Sequence, residues 1–270
     1  MRRPILSIGP LVLVELIGCG TKPTSNGMCV WNQAYQQNTR VDDIATVLDR
    51  ARDCYVLVDV DEPGVTEAIG QLKDQGNTVG CYTSVGTCEA WRDDFEAVAP
   101  SCVDEPWSEW GDEFFVDLPD EALMDAMTDR FTRFAEQGCD FVELDNMDWA
   151  GDDDLRDRYG FSATDAEARA YVGSLCLVIE SLGMQCMAKN TRLGLPWTAG
   201  GTFESFVGER DWWTHADLQE VLDSGGIGVV VHYGEEDCDG VFEFYLDRYG
   251  DRLSFICEEP DRGGYVHYNQ

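Results

Sequence analysis

The chain has 270 residues, with 52 Asp+Glu against 19 Lys+Arg and a formal net charge of −33. Its only lysines are Lys22, Lys73 and Lys189, so it lacks the clustered cations that nucleic acid and anionic membrane surfaces require. With 44% hydrophobic and 11% aromatic residues the acidity does not signal disorder, and the length suits one α/β barrel or two small domains.

The N-terminus is basic (Met1-Arg2-Arg3), continues in a mostly apolar run over 5–17 and ends in Leu16-Ile17-Gly18-Cys19. This pattern resembles a bacterial lipoprotein signal, in which Cys19 becomes the lipidated first residue of the mature chain and attaches it to a membrane; an ordinary cleaved signal, giving a secreted protein, is the alternative. Glu15 departs from the usual apolar core, and the run is shorter than the ~20 residues needed to span a bilayer. The expected division is a signal over 1–18, a polar tether over 19–27 and one catalytic domain over 28–270. Without Cys19, ten of the 11 cysteines remain, enough for five bridges in an oxidising, extracytoplasmic compartment.

Beyond the tether, strand patterns alternate with helix patterns. Apolar, β-branched or aromatic runs predict strands at 29–31, 55–60, 78–85, 141–144, 185–188, 203–207, 228–232 and 254–257. Leu123, Ala126, Met127, Phe131 and Phe134 form one helical stripe, and Ala166, Ala170, Tyr171, Val178, Ile179 and Leu182 a second. Asp120 and Thr164 fit as caps, Gly138 and Gly183 as stops. Eight βα units in one domain predict an α/β fold of the single (β/α)8 TIM-barrel type. A doubly wound sheet is the alternative, but neither GxGxxG nor GxxxxGK[ST] occurs.

In a barrel the chemistry sits where strands end, and the fourth strand ends on Glu143-Leu144-Asp145-Asn146-Met147-Asp148. The pleat puts Glu143 and Asp145 on one face, with Asn146 and Asp148 just beyond. So many polar groups at the end of an apolar strand are costly unless paired or working. A calcium loop and a solvated acidic turn are the plain alternatives, since Asp152-Asp153-Asp154 follows, though the EF-hand order is absent. The fifth strand runs into Lys189-Asn190, placing a lysine next to Glu143 or Asp145, where it would hold a carboxylate ionised. Glu209 follows the sixth strand. Two carboxyls facing each other across a barrel mouth suit glycoside cleavage, one as nucleophile or base and one as acid.

Trp31, Tyr82, Trp91, Trp107, Trp110, Trp149, Trp212, Trp213 and Tyr233 fall at or after strand ends, where rings can stack on sugars; Trp31, Tyr82 and Trp149 are best placed. Asp59 closes the second strand, where it can bind a sugar group or make a structural hydrogen bond. His215, His232 and His267 have no metal-ligand spacing, no nucleophile elbow is present, and no metal or cofactor is expected.

The segments Val58-Asp59-Val60, Tyr82-Thr83-Ser84-Val85-Gly86-Thr87, Glu89-Ala90-Trp91-Arg92-Asp93-Asp94, Glu143 to Asp148, Lys189-Asn190 and Glu209 together resemble glycoside hydrolase family 114, the endo-α-1,4-polygalactosaminidase-like barrels. The resemblance covers the chain from about Trp31 to Tyr233. It implies a retaining hydrolase with Asp145 as nucleophile and Glu209 as acid/base. Asp59, Tyr82, Trp91, Arg92, Glu143, Asn146, Asp148, Lys189, Asn190 and Tyr233 would shape the sugar site. It also implies a polysaccharide partner, an α-linked, galactosamine-containing chain that is cationic where its amines are not acetylated. The sequence departs from the family pattern at Leu144 and Asp93, where the family carries Pro, at Arg210-Asp211 after Glu209, and at His232 before Tyr233. The last two changes bear on substrate identity. Two rival readings are a non-catalytic carbohydrate-binding surface lipoprotein on the same barrel and a metal-dependent hydrolase using Asp148 and the aspartates at 152–154.

Overall fold

Alternation of short β-branched runs with amphipathic stripes folds into strands that alternate with helices. The computed structural model describes residues 27–35, 42–191, 198–205, 213–234, 237–259 and 264–269. In chain order these are β1 (Val30–Asn32), α1 (Ile44–Arg50), β2 (Tyr55–Val58), α2 (Val65–Asp74), β3 (Thr78–Ser84), β4 (Thr87–Glu89), α3 (Phe95–Val98), β5 (Glu113–Phe115) and α4 (Glu121–Gln137). They continue as β6 (Phe141–Asp145), α5 (Asp153–Tyr159), α6 (Asp165–Ser181), β7 (Gln185–Lys189), β8 (Gly200–Glu204), α7 (His215–Asp223), β9 (Ile227–His232), α8 (Cys238–Tyr249), β10 (Ser254–Glu259) and β11 (Gly264–His267).

Strands β1, β2, β3, β6, β7, β8, β9 and β10 pair in that order, all parallel, as a (β/α)8 barrel requires. The ninth strand, β11, was not expected: it pairs antiparallel with β10. His267 on β11 reaches β1, with Nδ1 2.6 Å from the Val30 carbonyl oxygen and its ring 3.9 Å from that of Trp31. The sheet is thereby nearly closed.

All eight expected barrel strands are present, the sixth displaced toward the N-terminus. Asp120 caps α4 by accepting from Leu123 N, and Gly138 ends it with φ 97°. Thr164 and Glu167 form a capping box on α6, and Gly183 follows its end with φ 86°. The α6 stripe differs from expectation. Ala166 and Ala170 are exposed, whereas Ala168, Tyr171, Val172, Leu175, Cys176 and Ile179 are buried.

The ten cysteines within the described residues form five bridges: Cys29–Cys54, Cys81–Cys139, Cys88–Cys102, Cys176–Cys186 and Cys238–Cys257. Cys19, with the signal and tether, lies outside the described residues.

Between β3 and α4 the chain makes a hairpin of β4 and β5, held to the barrel by buried charge. The fully buried Arg92 guanidinium takes both Asp59 oxygens, at 2.9 and 3.1 Å, together with Asp61 at 2.8 Å and both Glu89 oxygens. Arg130 of α4 grips Asp94 at 2.6 and 2.8 Å and Thr83 Oγ1 at 2.7 Å. Such clusters do not by themselves guarantee stability, but removing one partner strands the others without water.

Two outcomes follow for thermal unfolding. Arg92→Met should destabilise the fold by about 3–5 kcal/mol, because three carboxylates lose their cation. Replacing both Cys81 and Cys139 with Ala should cost about 2–4 kcal/mol, roughly 5–15 °C in Tm; an unchanged Tm in either variant contradicts the assigned role.

Candidate active site

Three barrel strands end on a charged residue followed at once by a non-glycine residue in the left-handed region. Asp145 ends β6 before Asn146 (φ 53°), Lys189 ends β7 before Asn190 (φ 60°), and Glu204 ends β8 before Ser205 (φ 40°). Positive φ turns the chain sharply out of the strand, leaving the charged side chain as the last one on the pleat. Asparagine tolerates this conformation better than most residues.

Lys189 joins the two carboxylates. Its Nζ lies 2.9 Å from Asp145 Oδ2 and 3.3 Å from Glu204 Oε1, placing those oxygens no more than about 6 Å apart. The ammonium also sits 4.2 Å from the Tyr35 ring centroid. Burial would lower its pKa, but Asp145, Glu204 and Glu143 more than reverse this, so the net shift is upward.

Each carboxylate has a tyrosine donor. The Tyr82 hydroxyl donates to Asp145 Oδ2 at 2.8 Å, Tyr233 donates to Glu204 Oε1 at 2.5 Å, and Tyr35 donates to Glu143 Oε1. Asp145 Oδ1 takes the Asn146 backbone N–H at 2.8 Å. Asn190 clamps Glu204 from two sides, its Nδ2 donating to Oε2 at 2.8 Å and its Oδ1 accepting from Glu204 N at 3.0 Å. These bonds fix both carboxylates in orientation.

Glu143 shares a strand face with Asp145 but has no exposed surface. Its oxygens accept from Tyr35 and Thr202, and burial, foremost, pushes its pKa up to about 7 against the opposing pull of Lys189. It therefore lies beneath the site, closed off from solvent. Asp59 and Arg92, expected at the sugar, bind each other in the buried cluster that anchors the hairpin. Trp31 and Trp149 are packing residues, both 2% exposed; Trp149 Nε1 donates to the Val116 carbonyl at 3.0 Å. Trp91 is open, at 49% exposure. Asp148 is exposed in the loop after β6, and Asp152 caps α5 by accepting from Asp154 N and Leu155 N.

Glu209, like Trp212, lies outside the described residues. The carboxylate at the sixth barrel strand's end is Glu204, which the sequence reading placed inside the strand. Glu204 and Tyr35 are thus the site residues that the sequence reading missed. The cue for Tyr35 was an aromatic residue just past the end of β1.

A family model described as glycoside hydrolase family GH114 matches residues 25–209, more than half of the chain. No curated protein matches by sequence. Among solved structures, Aspergillus fumigatus Ega3 in complex with galactosamine is similar over 92% of this chain and 98% of its own, with TM-score 0.68 and 16% identity. The glycoside hydrolase domain of PelA from Pseudomonas aeruginosa is similar over 90% and 98%, with TM-score 0.60 and 16% identity. With that fold, and with paired carboxylates at the barrel mouth, the chain belongs to glycoside hydrolase family 114 and is a hydrolase of O-glycosidic bonds.

Proposed function

We propose that the protein is a retaining hydrolase of α-linked, galactosamine-containing polysaccharide, with Asp145 as nucleophile and Glu204 as acid/base. The observation that carries this reading is the single Lys189 ammonium within 3.3 Å of both carboxylates. An oxygen separation of no more than about 6 Å fits the ~5–5.5 Å of retaining enzymes better than the ~6.5–9.5 Å that inversion needs for its water.

In the first step Asp145 Oδ attacks the anomeric carbon, and the glycosidic C–O bond breaks as Glu204, which takes up a proton from solvent before the step, gives that proton to the leaving oxygen. In the second, Glu204 takes a proton from water, which attacks the glycosyl-enzyme ester and releases the sugar and the Asp145 carboxylate. Lys189 and the tyrosines keep the two groups oriented through both steps. Asn146, Asp148 and the partly exposed Tyr82, Asn190 and Tyr233 would meet the sugar, with Trp91 as a stacking surface.

A cationic substrate suits the chain's net charge of −33, and galactosamine is the ligand in the Ega3 complex. Five disulfides favour an oxidising compartment, consistent with export through the 1–18 signal and attachment at Cys19. Among the described residues no helix is long and apolar enough to cross a membrane.

Incubation with α-1,4-polygalactosamine, with mass spectrometry of the products, is the primary test; saturable binding without new reducing ends would instead support the non-catalytic reading. Asp145→Asn should abolish turnover, and Glu204→Gln should lower kcat/KM by about 10²–10⁴-fold. Glu209→Gln should stay near wild type; the reverse ranking of the two glutamates would move the acid/base to Glu209. NMR should find the α anomer first in the product, and a β anomer would rule out retention. Raising ionic strength from about 0.05 to 0.5 M should slow hydrolysis of the deacetylated polymer and leave its N-acetylated counterpart unaffected; equal responses would exclude electrostatic steering.

A further inference from the structure

Behind Asn146 a line of hydrogen bonds leads away from the strand end into the β4–β5 hairpin. Asn146 Nδ2 donates to Ser84 Oγ at 3.0 Å, Ser84 Oγ lies 2.6 Å from Thr87 Oγ1, and Thr87 Oγ1 donates to Glu113 Oε2 at 2.6 Å. Ser84, Thr87 and Glu113 are buried, whereas Asn146 is partly exposed beside Asp145. The backbone there is held as well, since a Cβ at Gly86 would collide with the Asn146 carbonyl oxygen. Among the described residues the Asn146 side-chain oxygen takes no hydrogen bond, which leaves it for a ligand.

A hydroxyl carries one proton, so the bonds in this line must all run in one direction. With Glu113 ionised, its end of the line can only accept. Thr87 then donates to Glu113 and Ser84 donates to Thr87. Ser84 has only lone pairs left for Asn146, so the amide nitrogen faces Ser84 and the amide oxygen faces the site. With Glu113 protonated and donating to Thr87, the line reverses. Ser84 then donates to the amide oxygen, and the NH2 group faces the site. The two states differ chemically at the sugar: an amide oxygen accepts from a hydroxyl or an ammonium, whereas an NH2 group cannot receive an ammonium.

We infer that Glu113 is a positioning residue that, through Thr87 and Ser84, selects which end of the Asn146 amide faces the sugar. This rests on Asp145 marking the sugar site. Glu89 stands opposite Glu113 in the hairpin, bound by Arg92 and close to Arg130, and Asp145, Lys189 and Tyr82 act on Glu113 from the barrel. Burial, foremost, and then Glu89 push Glu113 up to about 8, so both directions are reached near neutral pH.

The side-chain NH2 signals of Asn146 in 15N-labelled protein, assigned by their loss in Asn146→Asp, report the direction without any substrate. Between about pH 6 and 10 they should titrate in the wild type with a midpoint near that of Glu113, and Glu113→Gln or Thr87→Val should remove that step, leaving only the shifts that Glu143 and Asp148 impose near pH 7 and 6. Thr87→Ser keeps the hydroxyl and should restore the titration. A wild type without the step near pH 8, or a Thr87→Val variant in which that step persists, overturns the relay. In kinetics on α-1,4-polygalactosamine, Thr87→Val should raise KM by about 3- to 10-fold, the worth of one hydrogen bond, with kcat changed less than about twofold. An unchanged KM overturns the link to the sugar. Absence of wild-type hydrolysis would count against the proposed substrate alone, because the NMR titration still decides the relay.

Discussion

The site depends on one buried ammonium. Lys189 is 6% exposed, and a lysine so placed is unfavourable unless anions surround it. Asp145 and Glu204 supply those anions directly, and Glu143 lies below as a carboxyl whose charge appears only as pH rises through about 7. Removing the lysine would leave two adjacent carboxylates repelling each other in a poorly solvated cleft. The dependence runs both ways, because the left-handed residues after each strand end are tolerable only where such contacts over-determine the local backbone. Strand ending, charge pairing and side-chain orientation therefore form one cooperative unit.

The same economy of cations holds outside the site. With 19 basic residues against 52 acidic ones, the chain still places Arg92, Arg130 and Lys189 in its interior, each facing two or more carboxylates. The hairpin anchored by Arg92 carries Glu113, and β3, which pairs with β6 in register from Gly80 to Ser84, carries the Tyr82 that touches Asp145. Fold stability and site geometry thus meet in the segment from Tyr82 to Asp94. The bridges Cys81–Cys139 and Cys88–Cys102 secure the same segment.

Strand periodicity made the barrel legible, and the strand-end rule made Asp145 and Lys189 legible with it. Glu204 escaped because β8 begins with Gly200-Gly201, residues that weaken any strand pattern. The reason for those glycines lies in packing invisible to a local reading. A Cβ on Gly201 would come within 2.9 Å of the Phe203 ring, and one on Gly200 within 3.0 Å of the Ile227 carbonyl oxygen. Displacing the strand by three residues moved its apparent end past Glu204 toward Glu209. For Asp59, Arg92 and Glu143 the sequence left the role open for a different reason. Sequence shows that a charge lies near a strand end, but not whether another protein group already satisfies it.

Glu143 shows how such a hidden charge still shapes the site. Two residues before Asp145 on the same face, it lies under the Lys189 ammonium, and Tyr35 and Thr202 occupy its oxygens. With its pKa near 7, it is largely uncharged in mildly acidic solution, so the one ammonium serves Asp145 and Glu204 without a third competitor. As pH rises through that value, a third negative charge appears beneath two others, in a region too buried for water to screen it. Because Glu143 binds more protons in the folded state than in the unfolded chain, the same ionisation lowers stability as pH rises from about 4.5 to 7. The buried floor of the barrel therefore favours mildly acidic conditions for the charge balance at the mouth and for the fold alike.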